Sequence, residues 1–391
     1  MPNNPTGING YSKKDYPPDN ILSASLHQYA KERLTNAQRL ERLTAEHGLN
    51  IKKSRLAELN LKFGVPNVRK PPPTDIATQA VLEMVAEDTA QTRGVGTIST
   101  LLSNEGMLLP RSALVAIGPN HQHHADGHEK LNAQALGMGG VGLNIYGIKD
   151  QWSSFLLHLV VLPNNRLAST IGHVYLDCVK KYGAVCITFI VDKGSETGYI
   201  YAHQTGLRET YAPDIDSDQF PPAQHVRSVH NTPIEGLWHW FVTLFGIDIK
   251  EVIQQGKVTG VYNPGNPIHP QLFNWIWPQI LQHQLNKFVE YWNNHKIRYQ
   301  STKPNMSGQT PQHAFMVPQA PAEDCRIEVP QDAVDALRNT IPVSRDEAMR
   351  WVDPSFEEVV RRAYITIGSP SLSNMSTGWS IFSAMAAVIT L

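Results

Sequence analysis

Only three cysteines, Cys178, Cys186 and Cys325, occur in the 391 residues, and no two form a CxxC pair. That spacing excludes a disulfide framework and a cysteine zinc ribbon, and it favours a reducing compartment, nucleus or cytosol, over secretion. The N-terminal stretch MPNNPTGINGYSKK lacks the apolar core of a signal peptide. Long apolar runs are also missing. The stretch Trp379–Leu391 is apolar but falls short of the roughly 20 residues a bilayer span needs. It is expected to be a buried terminal element or a truncated chain end. A net charge of only -1 leaves no global field for a polyanion, so such a partner must be met by local charge. There is no internal repeat.

What is present suits a globular protein of two or three domains, with 41% hydrophobic residues available for a core. Charge is uneven. Between Gly48 and Lys70 stand Lys52, Lys53, Arg55, Lys62, Arg69 and Lys70 against Glu58 alone, whereas between Ala322 and Ala363 acids outnumber bases ten to six. Polyanion binding therefore belongs to the first half. After a polar segment 1–20, expected to be disordered, residues 21–115 read as helical. An amphipathic run over 21–34 is followed by Thr35 as an N-cap and Gly48 as a stop. Ser54 is placed to cap the next helix, with Leu56, Leu59 and Phe63 on one side and Gly64 at its end. Helix, short turn, helix is the order of a helix-turn-helix unit. A proline-rich stretch from Pro66 to Pro73 leads into further helices, from Asp75 to about Glu87, from Thr97 to Asn104 and from Pro110 to Ile117. A helical scaffold without a ligand fits the same pattern.

The texture changes near His121. Strands are expected at Val141–Gly147 and Trp152–Leu162 with a turn at 149–151, then a helix Leu167–Tyr182 stopped by Gly183. A β-branched buried strand, Val185–Val191, and a helix from Tyr199 to Thr210 follow. This is α/β texture. A helix starts at Pro233, and a long one over Pro270–His295 is expected to be kinked or split at Pro278. Residues 116–300 thus form an α/β core, 301–322 a Pro/Ser/Gln linker, and 323–391 a C-terminal extension.

Three acids stand out. Asp192 ends the buried strand ahead of Gly194 and Gly198, where sheets of this kind open to ligands. Asp126 lies in Asp126-Gly127-His128-Glu129-Lys130-Leu131, and Glu235 lies in the first turn of the helix opened by Thr232-Pro233. Three converging carboxylates suit Mg²⁺ or Mn²⁺, and two such ions stabilise the attacking and leaving oxygens of an in-line phosphoryl displacement.

These residues resemble the motifs of the integrase core domain found in retroviral integrases and DDE transposases. The chain is similar to eukaryotic integrase-core proteins related to Ginger-type transposons. The D-G-H-x-K-L motif is matched from Asp126, D-x-G-x-E by Asp192, Gly194 and Glu196, and S-x-H-N-x-x-I-E-x-L-W by Ser228, His230, Asn231, Ile234, Glu235, Leu237 and Trp238. W-N-N-H-x-x-R is matched by Trp292, Asn293, Asn294, His295 and Arg298, and Ser-Gly-x-x-Pro by Ser307, Gly308 and Pro311. The resemblance implies a ribonuclease H-like mixed sheet, DNA as partner, Mg²⁺ or Mn²⁺ as cofactor, and Asp126, Asp192 and Glu235 as metal-holding catalytic acids. Nucleic-acid contacts are expected from Lys52, Lys53, Arg55, Lys62, Lys193, His230 and Asn231. Homo-oligomerisation is allowed, and no membrane partner is expected. Two departures stand beside the match. Gly236 replaces the usual arginine, implying one phosphate contact fewer, and His121-Gln122-His123-His124 replaces an apolar first strand. The zinc-binding module of retroviral integrases is absent.

Plainer readings exist for each residue. Thr232-Pro233-Ile234-Glu235 is a capping box. Asp192 could serve as a turn residue, and Glu196 as a supporting or a turn acid. The histidines at 121, 123, 124 and 128 read as a solvated loop in preference to a transition-metal cluster. Trp238, Trp240, Trp275, Trp277 and Trp292 read as core aromatics, and the basic stretch as a solvated helix face. The leading function is DNA integration or transposition. The alternatives are a catalytically retired transposase kept as a DNA-binding or structural protein, and a helix-turn-helix regulator whose core dimerises.

Overall fold

A computed structural model describes residues 15–67, 76, 80, 84, 95–108, 117–218, 220–226, 231–300 and 306–390. The chain forms two compact units, 1–115 and 116–391. The first is helical, with helices Asp19–Lys31, Asn36–His47, Lys53–Lys62 and Val95–Asn104. Leu22, Leu26, Tyr29, Leu43, Leu56 and Leu59 build a core from one face of each of the first three. Thr35 caps as its sequence suggests. Its side chain accepts from Gln38 N while Gln38 accepts from Thr35 N, and Gly48 closes the helix at φ 62°. The third helix starts at Lys53 behind an uncapped Lys52, one residue before Ser54 could cap it. The helices expected near Asp75–Glu87 and Pro110–Ile117 fall largely outside the described residues. Of the former only Ile76, Ala80 and Met84 are described, all helical.

The second unit is built on strands β1 Gln122–His128, β2 Asn144–Asp150, β3 Leu156–Leu162, β4 Ala184–Val185, β5 Thr188–Asp192, β6 Ala223–Val226 and β7 Ile327–Glu328. Five form one mixed sheet in the order β3-β2-β1-β5-β6. β1 is antiparallel to β2 and β2 to β3, whereas β5 runs parallel to both β1 and β6. Side chains alternate between the faces. On β3, Leu159 and Val161 join a core with Leu237, Phe241 and the helix Ile268–Asn294. Val160 and Leu162 face another with helices Ala168–Tyr182 and Gly198–Tyr211. This is a ribonuclease H-like α/β core preceded by a helical region.

Several expectations are corrected. The first strand is not weak: β1 is the central strand, and its histidines are buried rather than solvated. β2 runs on to Asp150 where a turn was expected, because the Asp150 carboxylate accepts from Asn120 N, Ser153 N and Ser153 Oγ and holds the turn beyond it. The run Val185–Val191 divides because Ala184–Val185 pairs with β7 and only Thr188–Asp192 enters the main sheet. The helix Ile268–Asn294 is not split at Pro278 but runs through it. Complete burial of Trp277, Ile280 and Leu281 around the proline outweighs its cost of about 3 kcal/mol, since each such side chain contributes roughly 1.5–3 kcal/mol.

The supposed linker carries a helix, Pro311–Met316, capped by Thr310, whose Phe315 stacks on Phe155 at 4.4 Å between ring centroids. The C-terminal segment packs into the same cores. Val334 and Ile341 join one and Val360, Phe382 and Met385 the other. The apolar end is the helix Gly378–Thr390, and Trp379 donates from Nε1 to Val252 O at 2.7 Å. Among the described residues no helix is long and apolar enough to cross a membrane.

Candidate active site

Asp126 and Asp192 sit on neighbouring parallel strands. His124 pairs with Ile190, and each aspartate lies two residues further along its own strand. The pleat therefore sends both side chains to the same side of the sheet, at the ends where β1 and β5 open. Behind them the helix Thr232–Phe241 places Glu235 on its exposed first turn.

The helix is anchored from below. Its N-cap is Asn231, one residue before the expected Thr232. Asn231 is fully buried and its amide is spent elsewhere. Nδ2 donates to Ala125 O at 3.1 Å and to Asp192 Oδ1 at 3.2 Å, while Oδ1 faces His124 Nδ1 at 2.6 Å. An expected contact to nucleic acid is instead a bracket joining β1, β5 and the Glu235 helix. His230, its neighbour, lies outside the described residues.

Trp238, one helical turn after Glu235, donates from Nε1 to Asp126 Oδ2 at 2.9 Å. Its ring stacks on His128 at 4.9 Å. It fits because Gly147, paired with Asp126 across β1 and β2, has no side chain. A Cβ there would come within 2.9 Å of the indole. The sequence reading had placed Trp238 only in the core. The i, i+3 spacing from Glu235 was the available signal that both share one helix face. Gly194 plays a similar part, since Glu196 folds its carboxylate back over the space a Cβ would fill.

Electrostatics mark the same spot. Burial pushes the Asp126 carboxyl up to about 7; the Trp238 hydrogen bond opposes this, and the charges of Asp192 and Glu235 add to it. Tyr146, buried on β2, is raised by burial and then by Asp126, Glu196 and Asp192. Burial also pushes the His124 imidazole below its ordinary value, against hydrogen bonds to Asn231 and Gln151 that favour its charged form.

The partners of Asp126 and Asp192 named above are neutral donors, an indole and an amide. An acid cluster of that kind fits a divalent cation, which supplies the missing charge. Among the described residues no three His, Cys, Asp or Glu side chains stand at metal-holding spacing as they are. The histidines build no transition-metal cluster either. His123 Nε2 meets Asn120 Oδ1 at 3.0 Å, and His121 Nδ1 accepts from Ile117 N.

Two downstream motif residues brace the sheet. Asn293 accepts from Leu156 N and donates to Leu156 O, as a paired strand would, and Trp292 Nε1 donates to Ser154 O. Lys193 is exposed directly beyond Asp192. In the other unit, Lys52, Lys53, Arg55 and Lys62 are exposed. Arg55 pairs with Glu58 at 2.6 Å and Lys62 with Asp19 at 2.6 Å.

A mixed sheet of this order with helices packed on its faces is a ribonuclease H-like core. The integrase core domain family matches residues 115–317, just over half of the chain, and the chain belongs to that family. Membership implies polynucleotidyl transfer in DNA integration and DNA as partner. Comparison with curated proteins returns no match.

The Trp238 bond is testable in that light. A hydrogen bond to a charged group is worth roughly 1.5–3 kcal/mol. Trp238→Phe, which keeps the ring and loses the donor, is therefore expected to slow metal-dependent DNA processing about 10- to 100-fold at unchanged melting temperature. An unchanged rate would reduce Trp238 to a core aromatic.

Proposed function

We propose that this chain cleaves and joins DNA ends with Asp126, Asp192 and Glu235 as the acids that hold Mg²⁺ or Mn²⁺. The observation that carries the reading is the side-by-side placement of Asp126 and Asp192 on β1 and β5, with the Glu235 helix tied to both strands by Asn231. When bound, divalent cations activate a water or 3′-hydroxyl and stabilise the leaving oxygen. The chain's own part is to orient the acids. Trp238 holds one oxygen of Asp126 and Asn231 one oxygen of Asp192, leaving the other oxygen of each for the cation. The relation to Ginger-type transposons belongs to the same proposal and rests on the motifs at Asp126, Asp192, Glu235, Trp292 and Gly308, and action in the nucleus follows from DNA as the partner and the few unpaired cysteines.

The test is incubation of the full chain with labelled DNA ends in Mg²⁺, Mn²⁺ or Ca²⁺. Nicked or joined products are expected with the first two and none with Ca²⁺, whose larger, looser coordination often supports binding without chemistry. Absence of products on every DNA end would give first place to a catalytically retired DNA-binding protein.

DNA contacts are proposed for Lys52, Lys53, Arg55, Lys62 and Lys193. The surface pairs of Arg55 and Lys62 are weak enough to be exchanged for phosphate. Replacing Lys52 and Lys53 by Ala is expected to weaken binding to all sequences and to flatten the log–log salt dependence by about 0.9 per lost contact. Fluorescence anisotropy over a salt series reads this slope. An unchanged slope would assign both lysines to a solvated face.

A further inference from the structure

The histidine-rich entry into β1 replaces an apolar strand, and the structure gives one of those histidines a specific partner on each ring nitrogen. His124 Nδ1 lies 2.6 Å from Asn231 Oδ1, and Nε2 lies 2.6 Å from Gln151 Oε1. Asn231 Nδ2 is committed to two acceptors, Ala125 O and Asp192 Oδ1, so Asn231 Oδ1 must accept, and His124 Nδ1 carries the proton it receives.

We infer that His124 is a positioning residue that locks the Asn231 amide with its nitrogen, not its oxygen, toward Asp192. The inference rests on the metal-dependent reading above. A flipped Asn231 would set its oxygen against the Asp192 carboxylate and against Ala125 O, the carbonyl just before Asp126. The buried Ala125 carbonyl and the half-buried Asp192 carboxylate would each lose a donor, and the two aspartates would lose their shared bracket. The His124 Nδ1–H, donating to the Asn231 oxygen, opposes that flip. A line of four side chains, Gln151, His124, Asn231 and Asp192, thus runs from the turn after β2 to the acid at the end of β5. An apolar residue at 124 would leave the buried Asn231 Oδ1 without its donor and weaken the preference for this orientation.

Groups that orient a metal ligand in this way typically contribute 10- to 100-fold in metal affinity. The experiment is a Mn²⁺ titration of the full chain, following free Mn²⁺ by electron paramagnetic resonance, with circular dichroism to verify folding. Asp192→Asn identifies the site. His124→Phe is expected to weaken Mn²⁺ binding about tenfold or more. His124→Asn, whose amide nitrogen can stand where Nδ1 stands, is expected to recover most of the loss, which a purely space-filling role would not allow. Gln151→Met, at a half-buried position, is expected to fall between. Wild-type affinity in folded His124→Phe overturns the inference alone, as does wild-type affinity in Gln151→Met should the Phe variant not fold. A wild-type chain with no Mn²⁺ site sensitive to Asp192→Asn overturns the metal reading itself and this inference with it.

Discussion

Asp192→Asn is expected to abolish metal-dependent DNA cleavage and joining while leaving DNA binding intact or tighter. The substitution removes one negative charge from the end of β5, where a divalent cation and a phosphate are to meet. Cations at such a site contribute several kcal/mol to stabilising charge in the transition state, so the loss is expected to reach about 1000-fold or more. The fold should survive, because the Asn231 amide that donates to Asp192 Oδ1 can donate equally to an asparagine oxygen. Gel-based end-joining and anisotropy on the same preparation read the two effects separately. A variant that retains activity would remove Asp192 from the chemistry.

Glu235→Gln should have an effect of similar kind on activity and almost none on stability. In a capping box, glutamine serves as well as glutamate. The helix begins behind Asn231, and Glu235 sits exposed on its first turn, its N–H bonded to Asn231 O. Its negative charge near a helix N-terminus is worth about 0.3–1 kcal/mol. Activity is expected to fall at least about 100-fold, as for loss of a ligand to a catalytic cation. Thermal denaturation beside the joining assay separates the two roles. Full activity would confine Glu235 to helix electrostatics.

How much of this could be read beforehand depended on where each residue's partner lies. Thr35 and Gly48 were legible because caps are decided within a few residues. Asp126 and Asp192 were legible as candidates because motif and strand-end position coincide. His124 was not: its partners lie 107 and 27 residues away, and a histidine surrounded by histidines reads as polar until those partners are in place. Trp238 was seen as bulk, since nothing local reveals that Gly147 opens a path for its indole to Asp126. The split of β4 from β5 depends on β7, more than 130 residues later by its pairing of Val185 with Ile327. Pro278 does not split its helix, because burial of the residues around it outweighs a local rule.

The placement of Asp126 and Asp192 as joint holders of a cation is tested most directly by Mn²⁺ soaked into crystals of the full chain and located by anomalous scattering at the manganese edge. The expected result is a peak between the Asp126 and Asp192 carboxylates, with the Glu235 side chain turned toward it. Ordered carboxylates with no peak between them, or manganese bound only elsewhere, would contradict it.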